Sequence, residues 1–168
     1  MKNIWEHKFY STRYLLTHPW QAVKDFGRKL KWAWQRTVRG YADIDWYNMD
    51  SFLLNVLPDM LETLARKGIG HVADLSPEDW EDFLLDAAQH LRNADEDQKV
   101  EVNQYEEAFR AYLDAHPDYY RDKVHIDPDA EVLRKQWLDR DREIFEWRQM
   151  EAEIAFKMIG ARFFDLWD

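Results

Sequence analysis

Between residues 18 and 39, apolar side chains recur every three or four positions, which is the spacing of one face of an α-helix. This stripe consists of Trp20, Val23, Gly27, Leu30, Trp34 and Val38. Thr17 can cap the start, Pro19 suits the first turn, and Gly40 can end the helix. The pattern therefore predicts a helix over residues 18–39. The basic residues that lie off the stripe or in the last turn form a basic edge: Lys24, Arg28, Lys31, Arg36 and Arg39.

The same spacing predicts three more helices before residue 116. One covers residues 45–67, and Pro58 inside it predicts a kink or a break. The next starts at Ser76-Pro77, a cap followed by a proline suited to the first helical turn. Its apolar stripe is Trp80, Phe83, Leu84, Ala87, Ala88 and Leu91. A fourth helix is predicted over residues 98–115.

The last helix is predicted to begin at Asp127-Pro128, and only Gly160 interrupts it before Asp168. Forty-one uninterrupted residues would extend about 60 Å, so we expect this helix to bend or to project. We also expect a short helix over residues 4–16 and an irregular segment over 116–127. No segment alternates with period two for long enough to predict a strand. We therefore predict an all-α, single-domain helical bundle of about five helices with a long C-terminal helix, and most of the nine Trp in its core.

Charge divides the chain at residue 40. Residues 1–40 contain nine Lys or Arg and two acidic residues, which gives a net charge of +7. Residues 41–168 contain 14 Lys or Arg and 31 acidic residues, which gives a net charge of −17. Within one domain over residues 1–168, the pattern predicts a basic N-terminal helical arm, 1–40, and an acidic helical body, 41–168. Such asymmetry indicates charged partners, although the arm could simply pack on the body.

Composition excludes several classes of site. The chain contains no cysteine, which excludes disulfides, Cys-ligated metals and a thiol nucleophile. No apolar run reaches the roughly 18 residues of a membrane span. The N-terminal segment shows no uninterrupted apolar region of a signal peptide. We therefore expect no membrane span and a cytoplasmic location.

Catalytic and cofactor motifs are also missing from the sequence. Six histidines occur, yet there is no HExxH, no pair of ExxH helices, no GxSxG, and no phosphate-binding GxxxxGK[ST] or GxGxxG. Ser76 is explained as a helix cap. We expect a protein that is not an enzyme, with no catalytic residues, no metal site and no cofactor.

The basic, Trp-containing first helix allows three interpretations. Lys and Arg could bind phosphate backbones, or the helix could lie on an anionic membrane surface. The acidic remainder would repel either polyanion, so direct nucleic-acid binding is not expected. The third interpretation is a packed amphipathic helix with a solvated basic edge.

The acidic body suggests its own contact surface. Carboxylates on exposed helix faces can imitate duplex phosphates and form charge-assisted hydrogen bonds in another protein's basic cleft. The candidate partner-binding residues are Glu78, Asp79, Glu81, Asp82, Asp86, Asp139, Asp141 and Glu143.

Several short sequence motifs are similar to those of a known group of proteins. They are R-x-x-R-G-Y at residues 36–41, D-x-D-W-x-N-M-D at 43–50, G-H at 70–71 with L-S-P-E-D-W at 75–80, and the closing L-W-D. The chain resembles a group of small acidic helical proteins encoded by bacteriophages, over residues 18–92 and weakly at the tail. The resemblance implies a phage origin and a host-cytoplasm setting, and it implies no activity or catalytic residues.

The R-x-x-R-G-Y phrase also has a structural interpretation. Acidic groups favour a helix N-terminus and arginines favour a helix C-terminus. We expect Arg36 and Arg39 to face Asp43, Asp45 and Asp50 across an αα-corner.

These observations together predict a phage-encoded, non-catalytic interaction protein. It would inhibit a host defence or nucleic-acid-handling protein by occupying a basic cleft with its acidic surface. One alternative is a phage structural or assembly factor that forms homo-oligomers through the long last helix. Another is a small helical enzyme without a known motif.

Overall fold

The computed structural model describes residues 19–68, 72–116 and 128–166. Within these ranges the chain forms five α-helices and no strand. The helices are α1 (Pro19–Arg39), α2 (Met49–Lys67), α3 (Pro77–Ala94), α4 (Glu106–Ala115) and α5 (Pro128–Ala161). The predicted all-α class with a long C-terminal helix is confirmed.

The boundary between α1 and α2 depends on a glycine. Gly40 has a φ of 81°, a conformation that a side chain would strain, and its N–H donates to the Arg36 carbonyl at 3.0 Å. The predicted helix end is therefore confirmed. α2 begins at Met49 rather than at residue 45, because residues 43–48 form turns. Pro58 is buried within α2, which continues across it without a break.

α3 begins and packs as its sequence predicts. The Ser76 hydroxyl accepts the Asp79 N–H at 3.1 Å and donates to the Asp79 carboxylate at 2.6 Å, which caps the helix. Its inner stripe is buried, with Phe83 half-buried beside Trp80 at a ring distance of 5.4 Å. The buried members are Trp80, Leu84, Ala87, Ala88, Leu91 and Ala94.

The predicted start of the fourth helix, at residue 98, is wrong. A 3₁₀ turn, Glu96–Gln98, comes first, and its Asp95 cap accepts the Asp97 N–H at 3.0 Å. Lys99 then adopts a left-handed conformation with φ 49°. The Asn103 side chain accepts the Tyr105 N–H at 3.0 Å, an Asx turn that competes with helix. α4 therefore begins only after residue 105.

α5 is shorter than the longest predicted version, because it ends at Ala161 and a 3₁₀ turn, Phe163–Asp165, follows. Its 34 residues extend about 50 Å. Some expectations fall outside the described residues. They are the helix over residues 4–16, the Thr17 cap, the G-H pair at 70–71, the Asp127 start, and positions 117–127 of the irregular segment.

Contacts between residues group the chain into two compact units, one up to Ala88 and one over Gln89–Leu166. In the second unit α4 packs on α5, where the Phe109 and Trp137 rings stack at 5.2 Å. The Trp137 indole N–H donates to Glu106 at 2.5 Å, and Asn103 donates to the Trp137 carbonyl at 2.9 Å. These bonds use polar atoms that packing would otherwise leave without partners.

Glu151 joins α5 to the C-terminal turns of α3. Its buried carboxylate lies 2.8 Å from His90 Nδ1 and accepts a hydrogen bond from Asn93 at 2.7 Å. One turn earlier, Arg148 donates to the Ala94 carbonyl at 2.9 Å and pairs with Glu96 at 3.5 Å. A buried carboxylate is stable only with such partners, so Glu151 holds these two segments in register.

Replacing Glu151 should therefore destabilise the second unit. We expect Glu151→Ala to lower the free energy of unfolding by about 2 kcal/mol, because His90 and Asn93 lose a shared, buried partner. Urea denaturation followed by circular dichroism measures this change. The control is Glu153→Ala, because Glu153 is exposed and pairs with Lys157 at 3.6 Å; its effect should stay below about 1 kcal/mol. Equal effects of the two changes would contradict the structural role of Glu151.

Candidate interaction surface

The corner between α1 and α2 is built around Asp45. Its buried carboxylate accepts Arg36 Nε at 2.9 Å and the Ala42 N–H at 2.7 Å, and the second Arg36 nitrogen binds its other oxygen. The Arg36 side chain is 14% exposed and that of Asp45 is 3% exposed. This bidentate pair therefore fixes which edge of α1 faces the corner.

Asp43 forms a second set of contacts at the same corner. Gln35 Nε2 donates to its carboxylate at 2.6 Å, and the Asp43 N–H donates to the Gln35 side-chain oxygen at 3.0 Å. Lys31 lies 2.9 Å from the carboxylate, and Arg39 binds it as well. The hydrogen bonds from Gln35, Lys31 and Arg39 hold the pKa of the Asp43 carboxyl well below its usual range.

The predicted basic edge is largely used within the chain. Arg36 binds Asp45, Lys31 and Arg39 bind Asp43, and Arg28 binds Asp25 within α1. Lys24 is exposed and makes no ion pair with a described residue. The expected contact of the arginines with Asp43 and Asp45 is confirmed. Asp50, which was expected to join them, is exposed and makes no ion pair within the described ranges.

The apolar stripe of α1 points away from this corner. We define the α1 apolar face as Trp20, Val23, Phe26, Leu30, Trp34 and Val38. Its members are all exposed, from 55% for Leu30 to 74% for Trp20. The expectation that most Trp are core residues is wrong for Trp20, Trp34 and also Trp46, whereas Trp80 is buried. Contiguous exposed apolar surface of this kind is typical of a contact site.

The orientation of α1 explains this exposure. Residues two apart on a helix lie on different sides, so Arg36 and Trp34 cannot both face the corner. Because Arg36 forms the buried pair with Asp45, the stripe that contains Trp34 is left outside. The expected contact of Arg36 with Asp45 indicates which side of α1 faces the corner. An amphipathic pattern considered alone does not show which side of a helix is covered.

The structure brings the predicted acidic residues of α3 together on one exposed face. We define the α3 acidic face as Glu78, Asp79, Glu81, Asp82 and Asp86, all of which are exposed. This face lies opposite the buried stripe that contains Trp80 and Leu84. Glu78, Glu81 and Asp82 make no ion pair with another described residue, so their charges remain available.

The predicted acidic residues of α5 are in a different electrostatic setting. Asp139 lies 4.0 Å from Arg142, and Glu143 lies 3.1 Å from Arg140. Hydrogen bonds to Glu143 and Glu101 raise the pKa of Arg140 above its usual value. Asp141 is exposed and unpaired among the described residues. Alternating charge on this surface gives a mixed potential rather than an acidic row.

Other kinds of site are not visible in the part of the chain that the structure describes. No group of three His, Asp or Glu side chains there could hold a metal ion. None of the described helices is both long enough and apolar enough to cross a bilayer. Comparison of the chain with protein-family models, with curated proteins and with solved structures finds no match in any of the three.

Removal of the Asp45 carboxylate should strongly destabilise the corner. We expect Asp45→Ala to cost about 3 kcal/mol of unfolding free energy, because Arg36 keeps a largely buried charge and the Ala42 N–H loses its acceptor. Urea denaturation measures the change. The matched control is Asp50→Ala in the exposed first turn of α2, where a loss below about 1 kcal/mol is expected. Similar losses in both variants would show that the Arg36–Asp45 pair does not stabilise the fold.

The lowered pKa of Asp43 makes a pH-dependent contribution to stability. Because the folded pKa lies below the ordinary value of 3.8, the contribution is complete above that value and is lost as pH falls through the folded pKa. The stability difference between the wild type and Asp43→Asn should therefore be largest near pH 6 and shrink below about pH 4. Denaturation midpoints across this range test it. Gln35→Ala removes a hydrogen bond that lowers the pKa of Asp43, so it should weaken the pH dependence of stability. A stability difference between the wild type and Asp43→Asn that is constant with pH would contradict this explanation.

Proposed function

We propose that this chain is a non-catalytic interaction protein that binds a basic surface of another protein through the α3 acidic face. The observation that carries the proposal is the grouping of five exposed carboxylates on one face, three of them unpaired among described residues. Carboxylates that need not break an existing ion pair can form charge-assisted hydrogen bonds with Arg and Lys of a partner.

The position of these carboxylates on α3 supports the same proposal. α3 carries the most extensive buried stripe of the described chain, including Leu84, Ala87 and Leu91 at 0% exposure. Groups on a well-packed helix keep fixed spacing, and fixed charges favour fast and specific association. The partner surface that best matches such a row is a cleft that normally binds phosphates. The resemblance to phage-encoded proteins favours a nucleic-acid-handling or defence protein of the host as the owner of that cleft.

A second candidate function is assembly of several copies through α5. Leu138, Phe145 and Phe156 are exposed at spacings of seven and eleven residues, so they lie along one side of this long helix. Such a stripe could pair with the same stripe of a second copy. It has fewer apolar members than the α1 apolar face.

A charge-matched pull-down tests the α3 acidic face. The tagged chain is immobilised and exposed to nuclease-treated bacterial lysate at low and moderate salt. We compare Glu78→Gln/Glu81→Gln/Asp82→Asn with Asp139→Asn/Asp141→Asn/Glu143→Gln, since each variant removes three carboxylates and has the same net charge. Recovery of the captured protein should fall at least about tenfold, or 1.4 kcal/mol, for the α3 variant only. A short DNA duplex should displace the partner from the wild type.

Equal losses in the two variants would contradict the proposal, because they would indicate an unspecific effect of net charge. A captured protein that neither salt nor the duplex displaces would contradict an electrostatic contact. Recovery of the chain itself, with no other protein, would favour the assembly function of α5.

A further inference from the structure

The borders of the α1 apolar face are cationic. On the helix surface, Lys24 neighbours Trp20 at the i,i+4 spacing, and Lys29 neighbours Phe26 at the i,i+3 spacing. Both lysines are exposed, and neither makes an ion pair with another described residue. The two α1 lysines that the corner does not use therefore lie beside the exposed apolar side chains.

No unpaired negative charge accompanies this face on α1. Asp25 is the only acidic residue of the helix, and its side chain is 13% exposed and bound to Arg28. An anionic surface that approached the helix would meet lysines and apolar side chains without a competing free carboxylate.

We propose that α1 lies on an anionic lipid surface, with its apolar face inserted and Lys24 and Lys29 at the headgroup phosphates. Trp, Phe and Leu on one face with Lys and Arg at the polar side are the features of helices that lie in the plane of a membrane interface. Lysine stems can extend along apolar surface while their ammonium groups reach the phosphates. Trp is enriched at this depth because its ring is apolar and its N–H is polar.

The dimensions of the face suit this arrangement. Trp20 and Val38 are 18 residues apart on one continuous helix, a distance of about 27 Å. Apolar side chains spread over such a length can insert together only if the helix lies parallel to the surface. The apolar face is the convex side of a single helix, and a fluid lipid surface can adapt to a convex face without a preformed groove.

The negative charge of the rest of the chain does not prevent this contact. At physiological ionic strength, exposed charges separated by more than about 8 Å are largely screened. Attraction to the lipid therefore depends mainly on the charges beside the inserted face, which are Lys24 and Lys29. The proposal uses different residues from those of the α3 acidic face and does not depend on that function.

Vesicle sedimentation with the full chain tests the proposal. The probes are vesicles of phosphatidylcholine alone and vesicles of phosphatidylcholine with 30% phosphatidylglycerol. We expect the wild type to sediment with the anionic vesicles, and binding to fall at least about fivefold with neutral vesicles or high salt. Lys24→Glu/Lys29→Glu should cause a similar fall. Leu30→Gln/Trp34→Gln should abolish binding, whereas Met60→Gln/Phe164→Gln, at exposed apolar positions elsewhere, should not.

Because the chain has no cysteine, one introduced cysteine can report which face inserts. An environment-sensitive fluorophore on Val23→Cys should shift to shorter wavelength on anionic vesicles, and the same label on Met60→Cys should not. Circular dichroism without lipid checks that each variant is folded.

Three results would overturn the proposal. They are no sedimentation of the folded wild type with anionic vesicles at low salt, unchanged binding of Leu30→Gln/Trp34→Gln, and a fluorescence shift at position 60 but not at position 23. Loss of the α3 carboxylates should leave vesicle binding intact, so failure of one proposal is distinguishable from failure of the other. If the folded chain does not bind lipid but binds another protein through Leu30 and Trp34, the partner of the α1 apolar face is a protein and not a lipid surface.

Discussion

The buried ion pair between Arg36 and Asp45 determines how the first unit presents its surfaces. A guanidinium and a carboxylate that are both largely removed from water must stay together, because separation would leave an uncompensated charge. The pair therefore sets the rotation of α1 about its own axis. One polar edge of the helix faces the corner, and the apolar stripe is exposed as a consequence. Burial of Trp20 and Trp34 against the corner would require the pair to break.

This constraint also changes the meaning of the charge division in the sequence. The arm has a net charge of +7, but Lys31, Arg36 and Arg39 contact carboxylates of the corner and Arg28 contacts Asp25. On α1 this leaves Lys24 and Lys29 as the exposed lysines without an ion pair in the described structure. Likewise, Asp139 and Glu143 of α5 lie beside arginines, whereas Glu78, Glu81 and Asp82 of α3 make no ion pair with a described residue. Surface charge that can act on a partner is therefore much more local than net charge suggests.

Local signals predicted the helices well, and failures occurred where tertiary contacts decide the outcome. Ser76, Gly40 and the stripe of α3 follow from capping, backbone freedom and periodicity, all of which are encoded within a few residues. The late start of α4 depends on Asn103, whose side chain binds both a local N–H and the distant Trp137 carbonyl. The exposed α1 face was missed because periodicity identifies an apolar stripe but not what covers it. Only the expected contact of Arg36 with Asp45 indicates which side of α1 faces the corner.

A helix whose polar edge is used inside the protein and whose apolar face is exposed is under an unusual constraint. Six exposed apolar side chains lose the favourable free energy that burial would give, roughly 1.5–3 kcal/mol for each fully buried large residue. A rotation of α1 that buried the apolar face against the corner could recover part of this energy. It would separate Arg36 from Asp45, and it would also break the contacts of Asp43 with Gln35, Lys31 and Arg39. The corner therefore keeps the face exposed although its apolar side chains favour burial. When a surface held in this way meets an external apolar phase, its side chains gain the free energy of burial. A reversible contact of the α1 apolar face requires this gain.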